Sequence, residues 1–134
     1  MRNKLEIESS VWYDDLTDIN NFIGCVFTEI DKLDNEILIF KTKDKTFYML
    51  HKQDCCENVH IDDIVGDLDI IMNSPILKAS EDSNEGQIEY GSLTWTFYNI
   101  STIKGTVTIT WRGESNGYYS EKADIYVKYN KKEN

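Results

Sequence analysis

The sequence predicts an α+β domain, a mostly antiparallel β-sheet with one main helix packed against it. Three observations carry this. Apolar and polar residues alternate with period two in Leu93–Ile100 and Thr106–Trp111, the pattern of half-buried strands. Short polar connections at Leu33–Glu36 and Lys43–Lys45 join β-rich runs, which argues for a meander. Finally, Ile64, Leu68 and Ile71 fall on one helical face behind Asp62 and Asp63, where a helix start favours negative charge.

Taken in order, residues 9–24 read as a cap and a short helix, with Asp18 to Ile23 offering apolar contacts three to four apart. Cys25–Ile30, Ile37–Thr42 and Thr46–Leu50 read as strands. Asn58–Ile61 extends a strand, and Asp62–Met72 is the main helix, ended by Asn73-Ser74-Pro75 because proline disfavours helix just before itself. Ile76–Ala79 is a further strand, Ser80–Gly91 an acidic hairpin or loop, and Ala123–Tyr129 the last strand. The chain is expected to form a single domain over residues 1–134, with 1–19 as an N-terminal extension and 130–134 as a frayed tail.

Composition narrows the function. Hydrophobic residues make up 40% of the 134 residues, enough for a packed core. No apolar run approaches the roughly 18 residues of a membrane helix, and the start has no apolar signal region, so the expected setting is cytoplasmic, away from membranes. A net charge of −10 makes direct nucleic-acid binding unfavourable, because the phosphate backbone repels it. The same charge, clustered, would suit docking on a basic groove in imitation of nucleic acid. The three cysteines Cys25, Cys55 and Cys56 read as reduced thiols packed inside, since adjacent cysteines rarely pair.

Two constellations carry chemistry. In the first, the strand ending at Trp111 delivers Arg112, Glu114, Ser115, Asn116, Tyr118 and Tyr119 to a turn punctuated by Gly113 and Gly117, beside Trp95 and Tyr98. Arginine can hold a phosphate or carboxylate with its planar fork, and the rings can stack on a base. The competing reading has Arg112 bridging to Glu114, Trp111 in the core and Asn116-Gly117 as a hairpin turn. In the second, His51, Asp54, Cys55, Cys56, Glu57 and His60 lie within ten residues. Zinc accepts these ligand types, but the spacing matches no zinc signature and extended backbone points adjacent cysteines apart. No metal and no cofactor is therefore expected. A cysteine–histidine hydrolase is the enzymatic alternative. The carboxylates of Asp62–Asp69 read as a solvated helix face, because apolar residues break the run.

With these motifs in view, the chain resembles small uncharacterised proteins of bacteriophages and prophages, grouped as a domain of unknown function. The resemblance rests on H-x-Q-D-C-C-E-x-V-x-I-x-D-I-x-G-D-L at His51–Leu68, Pro75-Ile76-Leu77, Trp95–Tyr98 and Gly113–Ser120, and covers residues 20–127. The family pattern places arginine before the tryptophan; here Thr110 precedes Trp111 and Arg112 follows it. The resemblance implies a phage-borne accessory protein that binds rather than turns over and that blunts host immunity. Two mechanisms compete within it, sequestration of a small nucleotide signal in the Arg112 and tyrosine pocket, and occlusion of a host nuclease or CRISPR effector by an acidic surface. Self-association is left open.

Overall fold

A computed structural model describes residues 3–130. It holds a helix α1 (Lys4–Ser10) and strands β1 (Leu16–Thr17), β2 (Glu29–Leu33), β3 (Ile37–Lys41), β4 (Lys45–Leu50), β5 (Asn58–Val65), β6 (Lys78–Ile88), β7 (Gly91–Thr102), β8 (Gly105–Ser115) and β9 (Asp124–Tyr129). One sheet has the order β1-β9-β4-β3-β2, the other β5-β8-β7-β6. Every pairing between these strands is antiparallel.

The sheets face each other across one core. Leu38, Phe40, Phe47, Met49 and Ile125 of the first meet Val59, Ile61, Tyr98, Ile100, Val107, Ile109 and Trp111 of the second. The indole N–H of Trp111 donates to the Met49 sulfur at 3.2 Å, tying the layers together. Phe22, Phe27, Phe40 and Phe47 form an aromatic cluster in which the Phe22 ring lies 4.7–5.0 Å from the other three, within the range of favourable ring pairs. A second apolar cluster lies on the other face of the first sheet, where Ile7 and Val11 cover Ile37, Leu50 and Tyr126. Among the described residues before position 20, those of α1 and β1 are thus built into the fold. Helix α1 covers a sheet face, and β1 pairs with β9.

The fold class is all-β, not α+β, and the main helix expected at Asp62–Met72 is absent. Strand β5 runs to Val65, and a single 3-10 turn follows at Leu68–Ile71. Gly66 explains the break. Its φ of +101° suits glycine, and a β-carbon there would sit 3.0 Å from the Thr106 carbonyl. The apolar spacing that imitates a helix is shared by an inward strand residue, Ile64, and a 3-10 turn capped by Asp67. The helix expected within residues 9–24 is likewise replaced by two 3-10 turns, Tyr13–Asp15 and Ile19–Phe22, flanking β1. Of Cys25–Ile30, only the end lies in a strand. Strands β7 and β8 fall where alternation predicts them, and β3, β4 and β9 where the β-rich runs do. The acidic stretch forms most of β6, hairpinned to β7 through Glu89 and Tyr90. Of the expected frayed tail, residues 131–134 lie outside the described residues.

Candidate functional site

Strand alternation sorts the predicted site residues onto opposite faces. On β7, Thr94, Thr96, Tyr98 and Ile100 face the core, whereas Leu93, Trp95 and Phe97 face outward. Tyr98 is fully buried, its hydroxyl donating to the Ala123 carbonyl at 3.3 Å. Burial pushes its phenol well above the ordinary value. It is a core residue and presents nothing to a ligand. Trp95 lies opposite Arg112, which lies opposite His60 on β5. The Arg112 guanidinium sits 5.3 Å from the Trp95 ring centroid and pairs with Glu114, so its charge is already engaged by a ring face and a carboxylate. Trp111 is core.

The segment after β8 does not form a hairpin between neighbouring strands. It carries the chain from the second sheet to β9 in the first. Gly117 takes φ +99°. The Ser115 hydroxyl accepts from the Gly117 N–H at 2.9 Å, and the Asn116 side chain from the Tyr118 N–H at 3.2 Å. Tyr118 is exposed, and Tyr119 half-buried.

The loop is held against the sheet by Glu121, which sequence reasoning missed. Its carboxylate accepts from the hydroxyls of Ser92, Thr94 and Ser115, the Thr94 bond measuring 2.8 Å. Burial pushes this carboxyl upward, and the three hydroxyls outweigh that, leaving it below its ordinary value. Two glycines make the approach feasible. A β-carbon on Gly113 would lie 2.0 Å from the Glu121 carbonyl, and one on Gly91 would lie 1.9 Å from that of Ser115. The available signal was Thr94 and Thr96, polar residues on the core-facing parity of β7.

Between this loop and the end of the β6–β7 hairpin lies an open groove of about 610 Å³, whose walls include Glu85, Gln87, Thr94, Tyr119, Glu121 and Lys122. Of the residues proposed for a ligand pocket, only Tyr119 lines it.

The second constellation is split. His51 and Glu57 are buried together, with the ring Nε2–H donating to the carboxylate at 2.8 Å and Nδ1–H to the Lys122 carbonyl at 2.9 Å. The ring is thus held between a carboxylate and a backbone carbonyl, both acceptors. Glu57 also accepts from the backbone N–H groups of Asp54 (2.9 Å) and Cys55 (2.8 Å), and the Gln53 amide donates to the Glu57 carbonyl at 2.6 Å. Burial alone would raise its carboxyl. The Cys55 N–H, the His51 ring and the Asp54 N–H outweigh burial and hold it at about 2. His60 stands elsewhere, on the outer face of the second sheet. Cys55 and Cys56 are exposed, not packed inward, and joined as a disulfide. The chain bends at this pair, so the sulfurs converge where extended backbone would separate them. Cys25 is half-buried, its thiol donating to the Asn21 carbonyl at 3.4 Å.

Among the described residues, no group of three or more His, Cys, Asp and Glu is placed to hold a metal, and no helix is long and apolar enough to cross a membrane.

Fold and site define a two-sheet antiparallel β protein with an acidic hairpin beside a polar groove. The chain belongs to the family described as a domain of unknown function, DUF7448, which matches residues 20–125. No curated protein and no solved structure was found to match the chain.

Proposed function

We propose that the protein acts by binding rather than turnover, and that its recognition element is the acidic β6–β7 hairpin. In this reading the hairpin docks on the basic groove of a host nucleic-acid-binding protein, a nuclease or CRISPR effector of antiviral defence, as a phage-borne inhibitor would. The observation that carries it is the placement of Glu81, Asp82, Glu85 and Glu89. All four are exposed on one hairpin, Glu81 and Glu85 on one face of β6, Asp82 on the other and Glu89 in the turn. Asp82 accepts from the Asn99 amide at 3.4 Å and Glu81 interacts with the Tyr98 hydroxyl, but no salt bridge engages any of the four among the described residues. A concentrated field of one sign steers a basic partner and excludes acidic ones.

The test is affinity capture from host cells with the native chain and with a variant carrying lysine at those four positions. The native chain should retain a nucleic-acid-binding protein that DNA displaces and that added salt releases, since exposed charges are screened over about 10 Å at 0.1 M ionic strength. Capture that ignores both salt and charge reversal would eliminate the reading.

A second reading places a small nucleotide in the groove, favoured by Tyr119 as a stacking face, Gln87 as a base-edge partner and Lys122 as a cation. Glu85 and Glu121 in the same groove weigh against a phosphate. Native mass measurement of protein purified from cells would reveal a retained nucleotide directly. For the hydrolase alternative, His51 bonds Glu57 and the Lys122 carbonyl while His60 lies apart on β5, an arrangement that gives it no support beyond the residue types.

A further inference from the structure

The Cys55–Cys56 pair plays no part in hairpin docking, and its surroundings point to a separate use. We propose that these two cysteines form a reversible thiol–disulfide site, exchanging with small disulfides and thiols, whose closed form tightens the groove loop over residues 116–122. Three observations converge. Both residues are exposed, and exposed disulfides are the labile ones. The bend brings the two sulfurs together without help from another element. The backbone of the pair is also wired to the groove. The Cys55 N–H donates to Glu57 at 2.8 Å, His51 donates to Glu57 at 2.8 Å, and the same ring donates to the Lys122 carbonyl at 2.9 Å. Closing the ring between adjacent residues restricts the backbone that must present this N–H to Glu57. It thereby steadies the carboxylate, the His51 ring and the loop carbonyl in sequence.

The chemistry balances with a small disulfide as oxidant. One cysteine thiolate attacks a sulfur of R–S–S–R, forming a mixed disulfide and releasing one RS⁻. The neighbouring thiolate then attacks the protein-bound sulfur, closing Cys55–Cys56 and releasing the second RS⁻. The protein loses two electrons and two protons; the small disulfide gains both and leaves as two thiols. Excess small thiol reverses the sequence.

The experiment treats the full chain with oxidised and then reduced glutathione, maps each cysteine by alkylation and peptide mass, and follows amide hydrogen exchange. Oxidation should remove two hydrogens from the peptide holding Cys55 and Cys56, leave Cys25 alkylatable, and slow exchange severalfold at Asp54, Cys55 and residues 116–122. Reduced glutathione should reverse all three changes. In Cys56→Ser the reaction should stop at a glutathione adduct on Cys55, with no slowing of the loop. Two stable adducts on the native pair, or disulfide-linked dimers through Cys25, would overturn the site. Closure with unchanged exchange at 116–122 would overturn the coupling to the groove. Neither outcome bears on what the hairpin binds, so this inference and the docking reading fail separately.

Discussion

Two sets of carboxylates divide the work of this molecule. Glu57 and Glu121 are buried, wrapped by N–H or hydroxyl donors, and each fastens the chain segment that crosses between sheets. Glu81, Asp82, Glu85 and Glu89 are exposed on one hairpin, where Asp82 accepts one long bond from Asn99 and Glu81 touches the Tyr98 hydroxyl, and none is wrapped by several donors. Environment, not residue type, decides which carboxylate holds the fold and which is free to meet a partner. A buried charge without donors is costly, so the buried pair must be fully satisfied. An exposed one has no such constraint.

The sharpest way to break this contrast is Glu57→Gln. It leaves the His51 ring and two backbone N–H groups facing a weaker acceptor in a buried site. Weakening the acceptor of several buried hydrogen bonds to a charged group costs about 2–3 kcal/mol, so chemical denaturation should show the largest loss among these single changes. Acid should act through the same carboxyl. Its value falls from 4.5 in the unfolded chain to about 2 in the fold. The stabilisation is therefore complete above about pH 4.5 and disappears as pH falls toward 2. Glu57→Gln should flatten that part of the stability–pH curve. A native-like curve in the variant would show that Glu57 is not the acid-sensitive anchor.

Much of this was written in the sequence, but unevenly. Strands β7 and β8 carry clean alternation and lie where it puts them, while β3, β4 and β9 are legible as β-rich apolar runs. Helical spacing at Ile64, Leu68 and Ile71 misled, because period is blind to Gly66 and its positive φ. The motif from His51 to Glu57 drew attention through residue types that suit metals and nucleophiles, yet it builds a carboxylate-capped turn. Its partner, the Lys122 carbonyl, lies 71 positions away, and no local pattern records it. Glu121 escaped for the same reason. Its donors sit on β7 and β8, and only the inward parity of Thr94 hinted at a buried acceptor.

The glycines sharpen the comparison at intermediate size. Gly113→Ala sets a β-carbon 2.0 Å from the Glu121 carbonyl, so the loop must move away from β8. Forcing extra volume into a packed site costs about 1–3 kcal/mol. Gly86, on the free hairpin, has nothing within 4 Å of the same added atom, and Gly86→Ala should change stability by no more than about 0.5 kcal/mol. Thermal unfolding of the two variants side by side measures the difference. Equal melting temperatures would mean the loop is not pressed onto the strand.

The smallest expected effect belongs to the hairpin itself. Replacing Glu81, Asp82, Glu85 and Glu89 with lysine removes the long Asn99–Asp82 bond and the Glu81 contact with the Tyr98 hydroxyl. It removes no ion pair among the described residues and reverses charge on a chain whose net charge is −10. Relief of self-repulsion favours the compact state. Lysine also guards an edge strand against pairing with other chains as well as glutamate does, so the exposed edge of β6 should not begin to aggregate. Each substitution should stay within about 0.5 kcal/mol, and the melting temperature should barely move while docking on a basic partner is lost. A large drop in melting temperature would place these carboxylates with Glu57 and Glu121 as structural anchors, and the division between the two sets would dissolve.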